Sequence, residues 1–277
     1  GVARFKIVEP GYHFIEIEGI SKTGNYFPEI QAVLIGGEAT TGKVWFAKED
    51  FYWGRRGPSV HLNFQVPEDA GDVVYFYNEI NDNGTVFGDT KALFNVGFTL
   101  EHPQQKNINV LNPNRNFNLQ YAEAEWRWYL SGDPSIDKLG EINGSIPPIW
   151  ETMADSDRKV RSNYGWQWER NHQLDKVVAM LKTNPETRQA VISIYDGKEI
   201  STYSKDTPCT YAVQFTILDN KLHMAVLMRS NDLWFGFCND QYCFASLQEL
   251  VAERLSMELG TYYHFAHNLH LYNNKLK

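Results

Sequence analysis

The sequence predicts an α/β (α+β) protein, with a small all-β region over residues 1–80 ahead of a main body over residues 81–277. Three observations carry this. Short alternating apolar runs separated by Gly, Pro and Asn fill the first part of the chain, the signature of strands at sandwich-like spacing. Helical apolar spacing then recurs around Asn118–Ser131, Gln173–Lys182 and Gln241–Leu259. Between the last two, Tyr211, Val213, Phe215 and Ile217 alternate as a half-buried strand does.

In chain order, the β-rich region is marked by Phe14–Glu18, Val33-Leu34-Ile35, Val44-Trp45-Phe46 and the alternating Val60, Leu62, Phe64 and Val66. The segment Tyr52-Trp53-Gly54-Arg55-Arg56-Gly57-Pro58-Ser59-Val60 sets aromatics beside arginines. Core aromatics with solvated arginines are the plainer reading, and a carbohydrate platform is the functional one. Asp72–Ile80 fits a last strand or a helix start. Asn81-Asp82-Asn83-Gly84 is a turn signal, and Thr85–Leu100 is extended. The helix over Asn118–Ser131 turns Leu119, Ala122, Trp126, Tyr129 and Leu130 inward and stops at Gly132. The next helix ends near Asn184-Pro185, after which Arg188 begins a strand. The long helix over Gln241–Leu259 presents Phe244, Leu247, Leu250, Val251, Leu255 and Leu259, with Gly260 as its stop. On the final strand, His270 and Tyr272 share one face.

Composition narrows the class. The 277 residues are 43% hydrophobic, 22% charged and 14% aromatic, enough for one large domain or two smaller ones. A net charge of -8 argues against a broad nucleic-acid surface, although a small anionic substrate needs only a local basic pocket. Cys209, Cys238 and Cys243 have no paired metal spacing, so no metal site is expected and a reducing, cytoplasmic setting is, the host cytoplasm if the source is viral. No apolar run reaches membrane-spanning length and no signal peptide opens the sequence.

The densest chemistry lies between Thr207 and Asp240. Cys209 follows a proline at one strand end, and Arg229-Ser230-Asn231-Asp232 follows the next strand. Strand ends and the loops after them are where a rigid scaffold displays reactive groups. Pro208-Cys209, Gln214-Phe215, Arg229-Ser230-Asn231-Asp232, Gly236 and Asp240 stand in one register that resembles the thymidylate synthase family and its viral members, the deoxycytidylate hydroxymethylases. The resemblance covers about residues 81–272. It implies a three-layer fold around a mixed sheet, a homodimer, and a pyrimidine deoxynucleoside monophosphate and folate as ligands, with 5,10-methylenetetrahydrofolate as co-substrate.

Site residues follow position by position. The resemblance makes Cys209 the nucleophile, Glu125 in EAEWRWYLSGD the proton-shuttling carboxylate, and Tyr164 the hydroxyl that helps remove a ring proton. Glu123, two residues before Glu125, stands as an ordinary solvent-facing control. Arg229, Ser230 and Gln214 fall at nucleotide-binding positions, His270 and Tyr272 at the sugar 3'-hydroxyl, and Trp150 and Asp232 at the folate. Arg188 matches an arginine that crosses to the partner's phosphate, although its neighbour here is Gln189. Lys91 is the basic residue nearest the place of a further phosphate loop, where an ordinary surface lysine is the competing reading.

The chemistry agrees with these assignments. Carbon 5 of a pyrimidine is a poor nucleophile until a thiolate adds at carbon 6, and a nearby cation such as Arg229 favours the thiolate of Cys209. Asp240 occupies the base-reading position. An ionised carboxylate only accepts, which suits cytosine protonated on its ring nitrogen and mismatches uracil at a cost of at least about 1–3 kcal/mol. A one-residue shift would set Asn239 there instead and read uracil. The Asp240 run points to hydroxymethylation of dCMP; methylation of dCMP, methylation of dUMP, or a scaffolding or carbohydrate-binding protein on a degenerate enzyme body are the alternatives. The sequence ends five residues after Tyr272, short of the segment with which the family closes over folate; either the chain is truncated or closure is supplied differently.

Overall fold

The computed structural model describes residues 79–108, 117–200 and 205–276 and three short strands nearer the N-terminus. The chain divides into two units, Gly1–Asp72 and Val73–Lys277. In the first, β1 (Lys6–Ile7) pairs parallel with β2 (Ile30–Leu34), which pairs antiparallel with β3 (Gly42–Val44). The expected runs at Val33 and Val44 overlap β2 and β3. Those at Phe14–Glu18 and Val60–Val66, and the aromatic–arginine segment Tyr52–Val60, lie outside the described residues.

The second unit is mixed α/β. Residues 79–83 are helical, not the turn that Asn81-Asp82-Asn83 suggested. The Asn83 side chain bonds Glu79 at 3.0 Å, the Gly84 N–H reaches the Ile80 carbonyl at 3.0 Å, and Lys91 Nζ donates to the Asn81 carbonyl at 2.5 Å. Helix-end carbonyls that would lack partners are thereby satisfied. Lys91, a candidate phosphate ligand by sequence, has this structural partner.

β4 (Thr85–Phe87) and β5 (Thr90–Leu100) follow, then helices α1 (Leu119–Ser131), α2 (Ile136–Asn143), α3 (Pro148–Met153), α4 (Tyr164–Glu169) and α5 (Gln173–Thr183). The chain returns through β6 (Val191–Ser193), β7 (Thr210–Leu218), β8 (Lys221–Met228), β9 (Asn231–Asp232), α6 (Gly236–Leu255) and β10 (Glu258–Tyr272). Seven strands form one mixed sheet in the order β4-β5-β10-β8-β7-β6, with β9 pairing β10. β10 lies in its middle, antiparallel to β5 and parallel to β8 and β9.

Local signals explain most boundaries. The Asn118 side chain accepts from the Tyr121 N–H to start α1, and Gly132 at φ 63 ends it. Its inward face is Ala122, Glu125, Trp128 and Tyr129, whereas Leu130, expected inside, is 52% exposed. The buried set is spaced by three and four residues, and Leu130 falls one position past that stripe.

The long C-terminal helix differs from its expected bounds at both ends. It begins at Gly236 and ends at Leu255, where Ser256 takes the left-handed conformation (φ 56) and its N–H returns to the carbonyls of Ala252 and Glu253. Leu259 and Gly260 therefore belong to β10. Gly260 is required there because a Cβ would come within 2.5 Å of the His223 ring. Arg188 likewise precedes its strand, which starts at Val191.

The main core lies where α1, α4, α5 and α6 meet the sheet. It gathers Trp128, Trp168, Leu174, Val177, Phe244, Leu247 and Val251 from the helices and Val213, Phe215, Met224, Val226 and Tyr262 from the strands. Burying each such side chain contributes about 1.5–3 kcal/mol. That rigid backing fixes the ends of β7 and β8, where the chemistry gathers.

Candidate active site

Cys209 immediately precedes β7 and Arg229 immediately follows β8, its antiparallel neighbour. The Arg229 N–H donates to the Cys209 carbonyl at 2.8 Å. Its guanidinium donates to the carbonyls of Pro208 (3.1 Å) and Thr207 (2.9 Å), which leaves Nη2 at 4.0 Å from Cys209 Sγ. Burial pushes the thiol up to about 11. Arg229 acts against that, while Asp240, Asp206 and Asp232 add to it. The expectation that Arg229 favours the thiolate holds in direction, but desolvation outweighs it. In this site the resting cysteine is a neutral thiol.

Tyr164 stands beside Cys209 because α4 packs very close to α1. A Cβ on Gly165 would fall 1.7 Å from the Tyr129 carbonyl oxygen, so only glycine permits this approach. The Tyr164 hydroxyl accepts from the Thr210 N–H at 3.2 Å and keeps its own hydrogen for donation. Burial, then Asp240 and Cys209, hold its pKa well above the ordinary value.

Glu125 is buried on the inner face of α1, whereas Glu123 faces solvent. Tyr121, one turn earlier, donates to Glu125 Oε1 at 3.0 Å and accepts from Trp150 Nε1 at 2.8 Å. Burial raises Glu125 from 4.5 to about 7 against the opposing hydrogen bonds of Tyr121 and Tyr129. A carboxyl near neutrality can both take and give a proton. Trp150, half-buried, is the outer end of this chain of side chains.

Asp240 lies one turn into α6 and accepts from Asn231 Nδ2 at 2.8 Å. Burial, then Glu125, pushes it well above the usual carboxylate range, and the Asn231 bond opposes this. Sequence reasoning treated Asp240 as ionised; its burial and the nearby Glu125 favour the neutral form. Asn239, the rival base reader, donates instead to the Phe235 carbonyl of its own helix at 3.2 Å.

Asp232 accepts from the N–H groups of Trp234 (3.0 Å), Phe235 (3.1 Å) and Gly236 (3.4 Å), so it anchors the start of α6. His270, opposite Asp232 in the β9–β10 pairing, is buried and bonds Asn268 at 2.9 Å. Its ring meets Tyr272 edge-on at 5.4 Å, so the expected pair does share a face. Burial lowers His270, so its ring is neutral. Ser230 is half-buried between Arg229 and Asn231. Gln214 and the exposed Arg188 meet each other, Gln214 donating to the Arg188 carbonyl at 3.5 Å.

Cys209, Tyr164 and Asp240 thus share one electrostatic cluster: Arg229, Asp240 and Asp232 act on Cys209, Asp240 and Cys209 on Tyr164, and Glu125 and Asp232 on Asp240. Sequence reasoning missed Tyr121, Tyr129, Asp206 and the pair Tyr262–His264. Tyr121 had a signal, its four-residue helical spacing from Glu125. Asp206 sits three residues before Cys209 and accepts from both the N–H and the hydroxyl of Ser162. Among the described residues, no cluster of His, Cys, Asp and Glu is arranged to hold a metal, and no helix is long and apolar enough to cross a membrane.

A family model for thymidylate synthase matches residues 77–277, and one for a domain of unknown function (DUF5077) matches residues 1–40. The chain is 35% identical over 151 residues to deoxycytidylate 5-hydroxymethyltransferase of Enterobacteria phage T4, covering 52% of this chain and 58% of that relative. The chain thus spans less than two thirds of that relative's length. It is 27% identical over 224 residues to thymidylate synthase of Francisella philomiragia subsp. philomiragia, covering 73% of this chain and 80% of that one. The crystal structure of thymidylate synthase from T4 phage shares the fold, with a TM-score of 0.61 and 22% identity over 72% of this chain and 76% of that one.

Proposed function

Because the chain belongs to the thymidylate synthase family, we propose that it is a folate-dependent one-carbon transferase that converts dCMP to 5-hydroxymethyl-dCMP. The observation that carries this reading is the carboxyl of Asp240, held by Asn231 in one cluster with Cys209, Tyr164 and Glu125. A neutral carboxyl paired with N3 of cytosine and a carboxylate paired with protonated N3 are one hydrogen-bonded unit, with the proton moved along it. The raised pKa of Asp240 therefore supports cytosine reading.

In this reading Arg229 and Ser230 hold the phosphate, and His270 and Tyr272 the sugar. Cys209 adds at carbon 6, so that carbon 5 becomes the nucleophile. 5,10-Methylenetetrahydrofolate supplies the one-carbon unit at carbon 5, with Trp150 and Asp232 on the folate side. Tyr164 and the Tyr121–Glu125 pair then carry away the carbon-5 proton, for which a carboxyl at about 7 is well matched. Tetrahydrofolate then leaves to give an exocyclic methylene, water adds to that methylene and releases a proton, and Cys209 leaves carbon 6 as the thiolate to give the hydroxymethyl product. The protein acts in the cytoplasm as a homodimer, the exposed Arg188 of each chain reaching the partner's phosphate site.

A second reading, methylation of dUMP, is favoured by the longer match to a thymidylate synthase. Tritium release from carbon-5-labelled dCMP and dUMP with methylenetetrahydrofolate, followed by product mass analysis, decides between them. The proposal expects release from dCMP with gain of a hydroxymethyl group, and an Asp240→Asn variant that shifts preference toward dUMP. Release from dUMP alone by the unaltered protein would overturn it.

A further inference from the structure

Asp240 is the end of a longer chain of side chains that begins on β10. The Tyr262 hydroxyl is 3.1 Å from His264 Nδ1, His264 Nε2 is 3.0 Å from Asn231 Oδ1, and Asn231 Nδ2 is 2.8 Å from Asp240 Oδ2. Tyr262, His264 and Asn231 are each at most 1% exposed. We propose that Tyr262 and His264 are positioning residues for base discrimination, because together they fix which way the Asn231 amide faces Asp240. This inference rests on Asp240 as the base reader.

With Asn231 Nδ2 on Asp240 one set of donors is consistent, and the buried Tyr262 O–H, which takes His264 Nδ1 as its acceptor, sets its direction. Asn231 has an NH2 group at one end and an oxygen at the other. With the NH2 on Asp240 Oδ2, its Oδ1 needs a donor, which only the Nε2–H of His264 can be at that contact. A neutral ring with hydrogen on Nε2 presents a bare Nδ1, and the Tyr262 O–H donates to it. Burial keeps the ring neutral, pushing it down to about 3. Phe98 stacked at 4.9 Å and Phe237 edge-on at 5.2 Å hold its plane. All donors then run in one direction, from Tyr262 to Asp240.

The consequence falls on the carboxyl. Asp240 Oδ2 is committed to accepting, so any proton on Asp240 resides on Oδ1. A carboxyl with a fixed order of donor and acceptor matches one pyrimidine edge and mismatches the other. If the Asn231 amide could turn over, its oxygen would face Asp240 and draw the proton to Oδ2, and the order would reverse. Ring substituents of cytosine and uracil would then be read less selectively.

The test is equilibrium binding of dCMP and dUMP, read as the ratio of their dissociation constants, beside tritium release for both. His264→Phe keeps a ring but removes both nitrogens, and its dCMP preference should fall by about tenfold or more, as expected when a buried polar group loses its partner. His264→Gln can donate to Asn231 and accept from Tyr262, and should recover most of the preference. Tyr262→Phe deletes one oxygen and should lower the preference by a smaller factor, which covers the case in which His264→Phe does not fold. An unchanged preference in both His264→Phe and Tyr262→Phe, with Asp240→Asn still changing it, would overturn the inference and leave the base reader standing. An unchanged preference in Asp240→Asn would overturn both.

Discussion

Replacing Glu125 by glutamine should remove the pH dependence that this residue imposes on folding. The unfolded chain releases the Glu125 proton near 4.5, whereas the folded chain keeps it to about 7. Between those values the folded state binds more protons. The group therefore costs no stability below 4.5, costs progressively more as pH rises to 7, and adds nothing further above that. The interval between 4.5 and 7, at ~1.36 kcal/mol per pH unit, comes to about 3 kcal/mol. Glutamine still accepts from Tyr121 but has no proton to lose. Urea unfolding of both proteins at pH 5, 6, 7 and 8 should show the variant gaining about 2.5 kcal/mol relative to the unaltered chain across that range, most of it before pH 7. On the proposed function the same variant should also lose tritium release, because the proposed proton carrier is gone. A stability difference that stays flat from pH 5 to 8 would refute the reasoning, since a carboxyl desolvated on the inner face of α1 cannot titrate alike in both states.

Alkylation of Cys209 by iodoacetamide, followed by peptide mass analysis, should rise about tenfold per pH unit from pH 7 to 9.5 without bending, as a thiol raised to about 11 requires; a plateau below pH 9 would contradict the dominance of burial over Arg229. Gly165→Ala should destabilise by at least about 3 kcal/mol in thermal or urea unfolding, because its methyl overlaps the Tyr129 carbonyl. An alanine variant of normal stability would mean that α4 need not sit so close to α1.

The parts of the site legible in the sequence were those set by one element or by a short run. Cys209 and Arg229 were visible at the ends of two strands, whereas Glu125 was marked only by the register of EAEWRWYLSGD with the family, since its helix carries ordinary glutamates such as Glu123 as well. What the sequence hid was made by tertiary convergence. Nothing in the sequence sets Tyr262 and His264 apart from their strand neighbours, and only the folded sheet brings His264 to Asn231 and Tyr262 to His264. Cation proximity suggested an activated thiol, but desolvation is a property of everything packed around Cys209 and has no local pattern. The end of α6 was misplaced for a related reason. Gly260 is a stop signal by composition, whereas its glycine answers to the His223 ring on the neighbouring strand, and the stop is a serine in a conformation that serine seldom adopts.

The place of β10 in the sheet has a bearing on synthesis. Residues 258–272 fill the middle of the sheet, between strands made from residues 90–100 and 221–228. While a ribosome is still adding them, β5 and β8 have no partner on the sides they will share, and open strand edges of that kind invite pairing with other chains. Asn231 and Asp232 are also without the strand that carries His264 and His270. The proposed nucleotide site is therefore incomplete during elongation, and chaperone demand should be greatest just before this segment emerges.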